Sequence, residues 1–271
     1  MCDCQYTYYS RAILWDKDYS KNLSQKQRFE ETAKMIPADT QSILDVGCGS
    51  GFFVNSLICM LPKRFTRVVG LDLSPEALKH VRIEKIRGTI TELPFDDESF
   101  DLVTCFEVLE HLRQPDFEKG ISELQRVSKK YILVSVPNEE RLLKLLVMCP
   151  KCYCCFNPSF HVRSFDKRRL VNLFDKFQLI ECKEIGPIRE NVSYSFLLRA
   201  AYIFHLKPAL PRTAICPQCS YTCGTEKLNK KNNLSNTSSA VSLLRFIASL
   251  VSLQKRSRPW LAGLFWKTGQ T

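Results

Sequence analysis

The chain has 271 residues, 45% of them hydrophobic, enough for one large domain, or one domain with an elaboration, around a real core. A formal net charge of +11 points to an anionic partner (nucleic acid, an acidic glycan or an anionic membrane surface) or to a merely basic surface, since no dense Lys/Arg run concentrates it. Thirteen cysteines, an odd number with no apolar leader in Met1-Cys2-Asp3-Cys4-Gln5, argue against a small secreted disulfide framework and predict a reducing, cytoplasmic setting.

Over 23–36 the apolar spacing is helical and Pro37 ends it, so 1–40 is expected to be a helical cap. The first strand is expected at 42–46. It runs into Asp45-Val46-Gly47-Cys48-Gly49-Ser50-Gly51 and then an apolar helix start. Glycines let a backbone approach a ligand closely, and a helix N-terminus offers free N–H groups. A second buried strand, 67–72, ends in Asp72, and Ser74-Pro75-Glu76 opens a helix with an N-cap, a proline at the first position and an acid in the first turn. A weaker third strand covers 83–90, an acidic turn 93–100 and a fourth strand 101–106. A helix at 116–127 and a fifth strand at 131–136 follow. Strands alternating with helices over short links predict an α/β, doubly wound parallel sheet. Beyond 138, Asp166 is expected to cap a helix through 177, and 178–185 is a sixth strand. Apolar helices are expected at 194–206 and 239–253, around a polar loop at 224–239, before a last strand at 259–266. Arg199 and Arg245 interrupt the apolar stretches, so no membrane span is expected. Those helices suit packing on the sheet edge, a greasy substrate entrance or peripheral contact with a membrane surface.

Four stretches stand at the spacing of one family: LDVGCGSG at 44–51, GLDLS at 70–74, ELPFDDESFDLVTCFEVLEHL at 92–112 and YILVSVPN at 131–138. Together they resemble the class I S-adenosylmethionine-dependent methyltransferases, in the small-molecule, methyltransferase type 11-like branch. The resemblance covers about 40–140, and 259–267 fits the family's last strand. It implies a Rossmann-like, seven-stranded sheet of order 3-2-1-4-5-7-6 with the last strand antiparallel. It implies that Asp45, Gly47, Cys48, Gly49 and Gly51 shape the loop around the amino-acid part of S-adenosyl-L-methionine. Asp72, next to Leu73, would accept both ribose hydroxyls, Thr89 and Ile90 would flank the adenine, and Glu107 would lie near the methionine end. Thr89 departs from the pattern, which often has an acid there. A dinucleotide site is the rival reading. It needs G-x-G-x-x-G, whereas G-C-G-S-G stands here.

Methyl transfer from a sulfonium is an in-line displacement that needs alignment, exclusion of water and, for some acceptors, a base. His111 and His161 are the candidates, as base, as positioning groups or as packing. Cys149-Pro150-Lys151-Cys152 and Cys216-Pro217-Gln218-Cys219 are matched C-P-x-C turns. Two such turns can complete a tetrahedral, structural zinc site resembling a zinc ribbon. Cys154, Cys155, Cys223 and His161 are spare ligands, and free thiols or a redox pair are the alternatives. The expected organisation is a cap at 1–40, a cofactor-binding core at 41–138, a Cys-rich insertion or lid at 139–223 and a completing segment at 224–271. The acceptor is read as a small molecule: a sugar, a lipid-linked intermediate or another secondary metabolite. An RNA or protein methyltransferase that uses the zinc unit and the positive charge is the alternative, as is a non-catalytic methyltransferase-like binding protein. The oligomeric state stays open.

Overall fold

The computed structural model describes residues 8–15, 22–142, 146–191, 214–221 and 255–269. The chain forms two compact units. The larger contains Met1–Glu140, Phe160–Pro187 and Arg258–Thr271; the smaller contains Arg141–Ser159 and Ile188–Ser257.

The larger unit is built on seven strands: β1 (Ser42–Val46), β2 (Arg67–Asp72), β3 (Glu84–Arg87), β4 (Phe100–Phe106), β5 (Ser128–Pro137), β8 (Phe177–Ile185) and β11 (Trp260–Lys267). They stand side by side as β3-β2-β1-β4-β5-β11-β8, which is 3-2-1-4-5-7-6 when only sheet strands are counted. The first five are parallel, and β11 is antiparallel to both neighbours. The expected fold and strand order are therefore those observed.

The central strands are apolar on both faces because both are covered. Leu44, Val103, Ile132 and Val134 face one layer, with Leu124 of α5 (Asp116–Val127) and Leu170 of α6 (Lys167–Val171). Ile43, Leu102 and Leu133 face the other, with Phe29 of α2 (Leu23–Ala33) and Val54 and Leu57 of α3 (Phe52–Met60). Each such side chain contributes about 1.5–3 kcal/mol by leaving water. A short α1 (Ala12–Trp15) precedes α2, and α4 (Pro75–Leu78) follows β2. Ser74 caps α4 by accepting from Ala77 N, as its sequence predicts.

One expectation is corrected. Asp166 does cap a helix, accepting from Arg169 N, but α6 ends at Val171, because Phe174 and Phe177 both turn into the core. The acidic turn is anchored at two points, Asp97 to Arg126 at 2.9 Å and Glu98 to Lys267. Cys59 is exposed, since α3 turns Phe53, Val54 and Leu57 inward. The helices expected at 194–206 and 239–253 lie outside the described residues.

In the smaller unit, β6 (Val147–Met148) pairs with β7 (Cys155–Phe156), and β9 (Arg189–Asn191) with β10 (Lys255–Ser257), both antiparallel. No helix among the described residues is long and apolar enough to cross a membrane.

Candidate functional site

The turn after β1 carries three left-handed glycines, Gly47, Gly49 and Gly51, with φ of 76°, 55° and 73°. Gly47 and Cys48 donate their backbone N–H groups to Leu71 O, which presses the turn against the end of β2. A Cβ on Gly47 would lie 2.3 Å from Val108 Cγ2, so only glycine fits there. The Asp72 carboxylate accepts from Gly49 N and Ser74 N, each at 2.8 Å, and so ties the glycine turn to the start of α4. Burial raises the pKa of Asp72, against the pull of these N–H donors. Asp45 lies one layer deeper. Thr104 Oγ1 donates to its Oδ1 at 2.6 Å, and burial pushes its carboxyl up to about 7.

A cavity of about 190 Å³ opens over these strand ends. Gly47 and Asp72 form its floor with Leu73, and Thr89 and Ile90 line one wall. Thr89 Oγ1 lies 3.0 Å from Thr91 Oγ1. Glu107, Val108 and His111 line the cavity from the segment after β4, and Tyr9 and Trp15 from the N-terminal segment. Trp15 Nε1 and Ser74 Oγ both donate to the Tyr9 carbonyl, at 2.7 and 2.8 Å. Cys48 packs beside Leu78 and Val81, and Gly51 opens α3.

Glu107 has φ of 56°, a strained setting for a non-glycine residue. Its carboxylate accepts from Trp260 Nε1 at 2.8 Å and lies 3.5 Å from Arg28. Burial raises its pKa, and Arg28 and then Trp260 oppose the rise. One turn later Glu110 is fully buried, and burial pushes its carboxyl well up. His111 follows. Burial and then His161 push it down to about 3, so it is neutral at ordinary pH. His161 is fifty positions away in sequence. Val162 N and Arg163 N both donate to Glu110 O, which sets the two imidazoles 4.6 Å apart, centre to centre. His161 Nδ1 lies 2.5 Å from Glu140 Oε2.

The smaller unit gathers the four C-P-x-C cysteines. Cys149 and Cys219 Sγ are 3.6 Å apart, Cys152 and Cys216 Sγ 3.5 Å, and all four lie within 4.8 Å of one another. The two turns share one pattern. Cys149 N donates to Cys154 O, and Cys216 N to Tyr221 O. Tyr153 and Ser220 both take positive φ and donate to Cys149 O and Cys216 O. Burial works against ionisation of Cys149, but N–H donors from Cys152 and Lys151 bring its pKa to about 7. These separations suit the edges of a zinc–thiolate tetrahedron, about 3.8 Å for Zn–S of about 2.3 Å, and are far from a disulfide bond. Of the spare ligands, Cys154 and Cys155 stand outside the set, and His161 lies in the larger unit; Cys223 is outside the described residues.

Sequence reasoning missed Tyr9, Trp15, Glu110 and Glu140. A signal was present for one of them: Glu107, Glu110 and His111 fall at i, i+3 and i+4, the spacing of one helical face.

The family profile described as "Methyltransferase domain" matches residues 44–132. The chain is 32% identical to the ubiquinone biosynthesis O-methyltransferase of Aliivibrio fischeri over 61% of this chain and 76% of that one. It is 33% identical to the small RNA 2'-O-methyltransferase of Arabidopsis thaliana over 42% of this chain and 14% of that one. The chain spans half or less of the length of several curated relatives that it matches. Among solved structures, an S-adenosylmethionine-dependent methyltransferase of Thermotoga maritima superposes with a TM-score of 0.53 at 14% identity, over 97% of this chain and 100% of that one.

Proposed function

Because the chain belongs to the class I S-adenosylmethionine-dependent methyltransferases, we propose that it moves the methyl group of that cofactor to a small-molecule acceptor by in-line displacement. The observation that carries this reading is the convergence of Gly47, Asp72 and Glu107, from the ends of β1, β2 and β4, on one cavity. Bound there, S-adenosylmethionine supplies an activated methyl, and the protein aligns and dries the reacting atoms.

Each group has a task in this reading. Asp72 has spent one lone pair per oxygen on Gly49 N and Ser74 N, and the remaining pairs are free for two ribose hydroxyls. Leu73, Thr89 and Ile90 flank the adenine. Asp45, Gly47, Cys48, Gly49 and Gly51 shape the turn around the amino-acid part, and Glu107 receives its ammonium. His111 is too weak a base at about 3 to take a proton near neutrality, so it acts as a positioning group on the acceptor side, with the His161 ring beside it. In the smaller unit, Cys149, Cys152, Cys216 and Cys219 hold one structural zinc.

A second reading is an RNA methyltransferase. The net charge of +11 and the likeness to a small RNA 2'-O-methyltransferase favour it. Salt-dependent retention on RNA, with methyl transfer to it, would select this reading over the first.

Calorimetry with S-adenosylmethionine tests the common core. One equivalent is expected to bind, with affinity at least about ten-fold weaker in Asp72→Ala, since two hydrogen bonds to a charged group are lost. No heat from the unmutated protein, or equal affinity in the variant, would remove the assignment.

A further inference from the structure

Among the described residues, three carboxylates line the cofactor cavity: Asp72, Glu107 and Asp116. The first two have tasks in the methyltransferase reading, at the ribose and at the ammonium. Asp116 has none there. The adenine wall, for its part, has no acid, because Thr89 stands where one is often found. Thr89 is also a poor substitute. Its Oγ1 accepts from Thr91 N at 3.3 Å and shares a hydrogen bond with Thr91 Oγ1 at 3.0 Å. A hydroxyl has one proton and two lone pairs, so two of its three positions are taken within the turn.

We infer that Asp116 reads the adenine, accepting a hydrogen bond from its exocyclic amino group. The backbone brings it there. Asp116 is the first residue of α5, and Gly120 stands one turn later on the same helical face. That face packs on Ile90: a Cβ on Gly120 would lie 3.2 Å from Ile90 Cγ1 and 3.4 Å from Leu112 Cδ1. The lack of a side chain at 120 thus lets α5 approach the adenine wall closely. Side chains on a helix lean towards its N-terminus. Asp116 therefore projects past the Gly120 contact, where it lines the cavity together with Thr89, Ile90 and Leu112.

The chemistry selects among purines. A carboxylate accepts hydrogen bonds at both oxygens and donates none. At position 6 adenine presents an amino donor, whereas hypoxanthine presents a carbonyl acceptor. The amino group is matched by Asp116; the carbonyl would face two further oxygens with no proton between them. Asp116 is half-buried, so solvent relieves that mismatch only in part. This rests on the methyltransferase reading and deepens it: adenine recognition has moved from the turn after β3 to the start of α5. Asp116 is a specificity residue for the cofactor and takes no part at the sulfonium.

Calorimetry of the full chain with S-adenosylhomocysteine and with S-inosylhomocysteine, which differ in the purine alone, tests the assignment without turnover. The unmutated protein is expected to bind the adenine compound about 10–100-fold more tightly, the worth of one hydrogen bond to a carboxylate. This first comparison needs no variant. Asp116→Asn keeps size and shape but replaces one acceptor oxygen with an amide donor, which suits the hypoxanthine carbonyl. The preference is expected to fall at least about ten-fold, or to invert. A residue that only stabilised α5 would, on substitution, weaken both compounds alike and leave their ratio standing. Equal affinity for the two compounds in the unmutated protein overturns the assignment. So does an unchanged ratio in Asp116→Asn, and so does a ratio that collapses in Thr89→Ala alone, which would return the adenine to Thr89. No binding of S-adenosylhomocysteine by the unmutated protein would remove the methyltransferase reading itself, and the assignment with it.

Discussion

Trp260 donates its indole N–H to Glu107 at 2.8 Å and thereby joins the first residue of β11 to the residue that follows β4. The two are 153 positions apart in sequence and meet because β11 inserts between β5 and β8. The guanidinium of Arg28 lies 5.0 Å above the same indole and 3.5 Å from the same carboxylate. This strained acid thus faces the Trp260 donor and the Arg28 cation, with Ser135 Oγ a longer donor at 3.4 Å, within a setting whose burial works against charge.

Trp260→Phe removes the donor and leaves the ring. The Glu107 carboxyl then rises further, because burial already raises it and Trp260 was among the groups opposing that rise. If ionised Glu107 holds the cofactor ammonium, the acidic limb of the pH profile of kcat/KM moves to higher pH, and cofactor affinity below that limb falls. An unmoved limb would show that Glu107 does not govern it.

Gly47→Ala places a methyl 2.3 Å from Val108 Cγ2 at a φ of 76°. A strain of about 1–3 kcal/mol is expected, with a lower Tm and S-adenosylmethionine affinity reduced at least ten-fold by calorimetry. Gly263→Ala is the contrast, since its Cβ would meet Leu170 Cδ2 at 2.8 Å within the β11–α6 packing. It should lower Tm while leaving the affinity within a factor of about two.

Asp45 makes stability pH-dependent. Its folded pKa is about 7 against an ordinary 3.8, so between those values the native state holds a proton that the unfolded chain has lost. The contribution is fully present below about pH 4 and is lost as pH rises towards 7, by at most about 1.4 kcal/mol per pH unit. Asp45→Asn should flatten this slope in urea unfolding of the ligand-free protein. A slope that survives the substitution would assign it to another group.

The zinc assignment predicts one equivalent of tightly held zinc by elemental analysis of the purified protein. Loss is expected in Cys216→Ser, with faster thiol labelling at Cys149 and Cys152. Under one equivalent in the unmutated protein, with all four thiols reactive, would leave free cysteines as the explanation.

The sheet was legible because its strands have both faces covered, so 42–46 and 67–72 read as short apolar runs bounded by turns. The Ser74 cap was legible because capping is local chemistry. The α6 boundary was not: the drive of Phe174 and Phe177 into the core overrides a pattern that could continue as a helix. Neither was the meeting of His161 with Glu110. It depends on two backbone hydrogen bonds, from Val162 N and Arg163 N, and backbone groups carry no sequence signature. Glu110 itself reads as a surface acid, and only its lack of exposure distinguishes it.

The Tyr9 carbonyl receives two donors at once, Trp15 from its own segment and Ser74 from the start of α4. The shared acceptor, with Tyr9 Oη beside His111 Nδ1 at 3.0 Å, ties Tyr9 and Trp15 into one piece of the cavity wall. Were that piece to leave before a ligand enters, admission would be a first-order event of the protein. Observed binding rates in stopped flow should level off at high ligand concentration, and Ser74→Ala should raise the plateau.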